Sequence, residues 1–163
     1  MTPTPRERVP RGAVVLPPLR LSPDFVDYPW LTHLGAYQAA AVLLARGWRV
    51  DVVDGFARPG AALERRGDTA WLGEPPDRFL ARLRRLRADL TIIAGSPFLL
   101  VPPGRAWLDE LTAAVPPGAG TLAWADMVVG GMHYVEVDGR KLLESSTRLD
   151  LVLRYECERL LDR

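Results

Sequence analysis

The chain has 163 residues, 48% apolar and 25% charged, enough for one domain with a real core and too few for two ordinary ones. A net charge of +1 argues against nucleic acid or an anionic membrane as the main partner, and a single cysteine, Cys157, excludes an internal disulfide framework or a multi-cysteine metal or iron–sulfur site. No apolar run approaches the roughly 18 residues of a membrane span and no apolar signal-peptide core opens the chain, so the expected location is the cytoplasm.

Residues 1–12 are rich in Pro and Arg and read as a mobile tail. Ala13–Leu16 (AVVL) is wholly apolar, as expected of a strand buried on both faces, and Pro17–Pro18 ends it. A loop rich in aromatics and Pro follows, and Leu34 opens a helix. Leu34, Tyr37, Ala41 and Leu44 recur at i, i+3, i+7 and i+10 and are expected to form its buried face. Thr32 is placed to cap the start, and Gly47 ends the run where a left-handed residue is wanted. Arg49–Asp54 (RVDVVD) is the second strand, completing a βαβ unit.

Gly55 to Glu74 reads as a long polar connection with room for a short helix near Ala61–Arg66. Pro76 starts a second helix whose buried line is Phe79, Leu83 and Leu86. Its arginines, Arg82, Arg84, Arg85 and Arg87, are spread around the helix and read as a solvated face rather than a phosphate site. LTIIAG, ending at Gly95, is a third buried strand with Ser96–Pro97 at its carboxyl end. Gly104 to Val115 is a third helix with Trp107, Leu108, Leu111 and Val115 inward. Thr121 to Val129 is a fourth strand, bent or broken near Asp126, and it leads to Gly130, Gly131, Met132 and His133. Tyr134 to Gly139 reads as a small strand or excursion, Asp150 to Arg154 as the fifth strand, and Tyr155 to Arg163 as the last helix.

Five β-runs alternating with helices predict an α/β three-layer sandwich, doubly wound in the flavodoxin-like or Rossmann-like manner about a mainly parallel five-stranded sheet. Ligands of such sheets bind beyond the carboxyl ends of the strands. The candidate binding residues are therefore Pro17–Pro18, the loop around Leu31–Gly35, Ser96–Pro97, Gly130–His133 and Tyr155–Glu156. Singly, each also has a plain reading. Gly130–Gly131 suits a tight turn as well as a close ligand approach, and His33 suits packing on Trp30 as well as a phosphate contact. Ser96 has no elbow motif or neighbouring base, and neither a phosphate loop nor GxGxxG follows the first strand, which counts against nucleoside triphosphates and NAD.

Taken in order, the Pro-Pro ending, the LG…A helix, GWRVDVVD, the Ser after the third strand, VVGGMH and DLVLRYECE resemble the N-terminal cobalamin-binding domain of cobalamin-dependent radical S-adenosylmethionine enzymes. The resemblance spans about Ala13 to Leu161. It implies that Pro17 and Pro18 border the corrin face, and that Leu31, Thr32, His33, Leu34 and Gly35 meet the nucleotide tail or its phosphate. It implies too that Ser96 and Pro97 line the slot for the dimethylbenzimidazole tail, that Gly130, Gly131, Met132 and His133 lie along the corrin edge, and that Tyr155 and Glu156 belong to the closing motif.

The chain departs from that pattern in three ways. It lacks the Asp-x-His-x-x-Gly signature that supplies an axial His in methionine-synthase-type domains, Cys157 stands where the family shows Gly, and the Cys-x-x-x-Cys-x-x-Cys cluster motif is missing. The expected function is thus a cobalamin module, with S-adenosylmethionine and the iron–sulfur cluster held by a partner domain or chain, and no metal ligand in this chain. The alternatives are a scaffolding module that kept the fold without the cofactor, and the sugar-nucleotide-binding half of a transferase.

Overall fold

The computed structural model describes residues 8–24, 34–117, 120–126, 139–146, 148–153 and 161. The main sheet contains β1 (Arg11–Leu16), β3 (Arg49–Asp54), β6 (Leu90–Gly95), β7 (Thr121–Asp126) and β8 (Leu151–Leu153). Its order is β3-β1-β6-β7-β8 and every neighbouring pair is parallel. This is the doubly wound, flavodoxin-like arrangement, with a switch point where the chain leaves β1 toward one edge and β6 toward the other. The expected fold class is therefore observed. β1 begins at Arg11, two residues before the expected strand and inside the expected tail, because Arg11 and Gly12 pair with Arg49 and Val50.

Alternate residues of the strands feed two cores. On one face Ala13, Val15, Ile93, Leu122 and Trp124 meet α2 (Pro76–Leu83), α3 (Gly104–Ala114) and α4 (Gly139–Ser145). Phe79, Leu83, Leu86, Trp107, Leu108, Leu111 and Val115 are all buried there, as their spacing predicts. α2 ends at Leu83, sooner than the apolar pattern suggests. On the other face Val14, Leu16, Ile92, Ala94, Ala123 and Ala125 meet α1 (Leu34–Ala45), with Leu161 at the border.

The buried face of α1 differs from the one expected. Its buried residues are Gly35, Ala36, Ala39, Ala40 and Leu43, while Leu34 and Leu44 are 61% and 55% exposed and Tyr37 and Ala41 also lie outward. The physical reason is close approach: small side chains on helix and sheet let the backbones come near, and a Cβ on Gly12 would stand 3.1 Å from Leu43 Cδ1. α1 carries no charged residue, so the spacing of its large side chains does not reveal which side faces the sheet. Its end is as expected: Gly47 has φ of +81°, Gly47 N–H bonds Leu44 O and Trp48 N–H bonds Leu43 O, the paired bonds of a Schellman cap.

The connection from Gly55 to Glu74 is not an irregular loop. It holds β4 (Ala62–Arg66) and β5 (Thr69–Gly73), which join β2 (Leu19–Leu21) in a three-stranded antiparallel sheet of order β2-β5-β4. Gly67, with φ of +60°, opens the two-residue Gly-Asp turn between Arg66 and Thr69. Accordingly Pro17–Pro18 is a corner rather than a stop: the chain passes from β1 directly into β2. Leu19, Leu21, Ala70 and Leu72 carry the first core past the end of β1. Residues 134–138 of the expected excursion and almost all of the expected last helix lie outside the described residues, and Gly139, expected as a turn, opens α4. α4 follows that segment and was not expected.

Candidate functional site

The carboxyl edge of the main sheet is assembled by Asp54, the last residue of β3 and only 6% exposed. Its Oδ1 accepts the backbone N–H groups of Phe56 at 2.6 Å and Ala57 at 3.1 Å, and its Oδ2 accepts the Tyr37 hydroxyl at 2.7 Å. An Asp at a strand end readily accepts from the N–H groups two and three residues on, which folds the turn back on itself. The bond to Asp54, with burial and the carboxylate charge adding to it, pushes the Tyr37 hydroxyl up to about 12. Tyr37 is thus a fixed hydrogen-bond donor rather than a base.

The same corner ties in two further segments. Gly55 N–H bonds Leu16 O, Glu74 N–H bonds Gly55 O, and Arg82 Nη1 reaches both Glu74 Oε2 at 2.5 Å and Asp54 O at 3.2 Å. Glu74 is buried and Arg82 mostly so, and the charges neutralise one another where water is scarce. Arg82 therefore departs from the solvated face expected of the α2 arginines, whereas Arg84, Arg85 and Arg87 are exposed as expected. α1, the end of β1, the β3–β4 turn, the end of β5 and α2 meet at this one polar node.

Of the predicted site residues, Pro17, Pro18, Leu34, Gly35, Ser96 and Pro97 are described; Leu31, Thr32, His33, Gly130, Gly131, Met132, His133, Tyr155 and Glu156 lie outside the described residues. Pro18 is enclosed by the protein itself. Its carbonyl accepts Trp107 Nε1–H at 2.6 Å, and a Cβ on Gly55 or Gly73 would fall within 2.8 Å of its ring. Ser96 is 7% exposed at the end of β6, its Oγ accepting Phe98 N–H at 3.4 Å and its carbonyl accepting Leu99 N–H at 2.9 Å in the 3-10 turn Pro97–Leu99. Among the described residues its own hydroxyl proton has no acceptor. Leu34 projects outward and Gly35 is buried in the first turn of α1.

A flat, largely apolar ligand with polar rim groups asks for small side chains and open hydrogen-bonding groups near the strand ends. Ala94 and Ala125, one residue before the ends of β6 and β7, and Gly35 and Ala36 in the first turn of α1 are the small residues on the α1 side of the sheet, where they are buried against one another. Ser96 adds a hydroxyl there. Pro18 is no open ligand face, since the second sheet and α3 already cover it. The small residues at the switch point thus lie on one side of the sheet, and the second sheet and α3 occupy the other.

Tyr37, Glu74 and Arg82 were not singled out as site residues by their sequence context. The signal for Asp54 was present, an acidic residue closing an apolar strand, whereas its partners are distant in sequence. Among the described residues no group of three or more His, Cys, Asp or Glu side chains is arranged to hold a metal ion, and no helix is long and apolar enough to cross a membrane. A cavity of about 320 Å³ lies at the opposite, amino-terminal edge beside Val115, Leu122, Arg148 and Asp150. Its polar groups serve the backbone: Arg148 Nη2 donates to Val115 O and the Asp150 carboxylate accepts Leu122 N–H. No known protein-family model matches the chain, and a search of curated proteins found no match.

Proposed function

We propose that this chain is a cobalamin-binding module serving a radical S-adenosylmethionine domain or chain in the cytoplasm. The observation that supports the reading most is the switch point between β1 and β6, where the buried Gly35, Ala36, Ala94 and Ala125 keep the α1 side thin and Ser96 stands at the end of β6. Bound there, cobalamin would supply a cobalt centre able to carry a methyl group. The chain's own part would be to receive the flat cofactor beyond the strand ends, to offer the Ser96 hydroxyl to it, and to hold α1 in place through the Tyr37–Asp54 bond. The sugar-nucleotide reading loses ground because the Asp54 carboxylate is already spent on Tyr37 and two backbone N–H groups. The scaffolding reading draws support from one observation, the enclosure of Pro18.

The test is a visible absorption titration of the purified chain with hydroxocobalamin, followed by desalting. Retention of a shifted corrinoid spectrum, weakened in Ser96→Phe and Gly131→Trp, is the expected result. A colourless protein after desalting, at micromolar concentration, would put the scaffolding reading first.

A further inference from the structure

α1 is apolar on both sides, and among the described residues nothing covers its outer side. Leu34, Tyr37 and Leu44 are 61%, 38% and 55% exposed, and Ala41 between them is exposed as well. Their spacing of three, four and three residues is that of the a and d positions of a heptad, the narrow seam along which one helix packs on another. The Tyr37–Asp54 bond turns this seam toward β3, the edge strand of the sheet. Val52, two residues before Asp54 and on the same face of β3, extends the apolar strip and is 36% exposed.

We propose that this seam pairs with the same seam of a second copy of the chain, α1 against α1 and antiparallel about a two-fold axis near residue 39. Two properties of the helix single out a second copy. First, the seam is self-complementary when reversed: Leu34 falls opposite Leu44 of the partner subunit and Tyr37, the largest side chain, opposite Ala41 of the partner subunit, the smallest. Large-against-small alternation is what lets facing layers interdigitate, and an isologous interface needs such self-matching. Second, no residue from Leu34 to Ala45 is charged, so a second copy brings no like charges together and leaves none unpaired. Tyr37 enters the contact already fixed by Asp54, so little side-chain freedom is lost on pairing. A seam of one twelve-residue helix plus Val52 is smaller than the ~800 Å² per partner of a standard interface, so the dimer is expected to be weak and concentration-dependent.

The deciding experiment is sedimentation equilibrium of the full chain from micromolar to millimolar concentration, with circular dichroism to check folding of each variant. The wild-type chain is expected to dimerise, and Leu44→Glu to raise the dissociation constant at least tenfold. Ala41→Tyr sets Tyr against Tyr and should weaken the dimer about tenfold. The exchanged pair Tyr37→Ala with Ala41→Tyr restores large against small in this register alone, and should recover most of the loss. A wild-type chain that stays monomeric at one millimolar overturns the proposal and leaves the seam to a different partner. So does a dimer indifferent to Leu44→Glu, or a folded exchange variant as weak as Ala41→Tyr. If Leu44→Glu does not fold, the Ala41→Tyr pair decides.

Discussion

The two faces of the parallel sheet are built on opposite principles. The face toward α2, α3 and α4 is thick: Trp107, Trp124, Phe79 and a row of leucines fill it, and the second sheet extends it past the end of β1. The face toward α1 is thinner, with alanines on both helix and strands beside Val14, Leu16, Leu43 and Ile92. The thick face buries more apolar area and should carry most of the stability. The thin face contributes less, but it brings a helix start and small residues to the switch point, where the proposed ligand would sit. Stability and the candidate site are thus assigned to different sides of one sheet.

Chemical denaturation of single variants would break or sharpen this contrast. The largest loss, about 4 kcal/mol, is expected for Trp107→Ala, which empties the centre of the thick face and frees the Pro18 carbonyl. Gly95→Val should cost about 3 kcal/mol, because a Cβ there would stand 2.4 Å from both Trp124 Cζ2 and Ala125 O, neither of which has room to move. Ala39→Leu, under α1, should cost about 2 kcal/mol by overpacking, whereas Ala41→Leu on the outer side of the same helix should stay within about 0.5 kcal/mol. Equal effects at the two positions would mean that the helix is not seated as described.

Tyr37→Phe should cost about 1 kcal/mol, since the bond lost is to a carboxylate at a site still partly open to solvent. Its pH dependence has a definite sign. Tyr37 titrates near 12 in the folded protein against 10.0 when free, so its contribution is complete below pH 10 and fades as the pH rises from about 10 to 12. An ultraviolet titration of tyrosinate should show a late-ionising tyrosine that Tyr37→Phe removes. The smallest effect belongs to Asp89, whose exposed carboxylate is held below its usual pKa by the backbone N–H of Arg11 foremost, with Arg8 assisting. Asp89→Asn should lower stability slightly at neutral pH and make the acid limb slightly shallower, the two proteins converging in acid, because the contribution it removes is present above the ordinary carboxylate pKa and lost as the pH falls through the lowered one.

The alternation of β-runs and helices, and the buried lines of α2 and α3, were legible because each is a local pattern of apolar spacing. β3, β6 and the left-handed cap at Gly47 were legible for the same reason. The second sheet was missed although its Gly-Asp turn was in view: β4 reads Ala-Leu-Glu-Arg-Arg, good helix formers, and four of its five residues are exposed. It is a strand because β5 pairs with it, a partner that no local propensity reveals.

For the candidate site, the sequence alone determined the order of the loops at the strand ends and the small residues near them. Tertiary structure alone decided that Pro18 is enclosed, that Asp54 gathers Tyr37 and the β3–β4 turn with Glu74 and Arg82 beside it, and which side of α1 meets the sheet. The physical reason is common to all three. Periodicity reports whether a side chain is apolar, but on a helix apolar all round, and at a corner where five segments converge, only the distances between them settle what each residue touches.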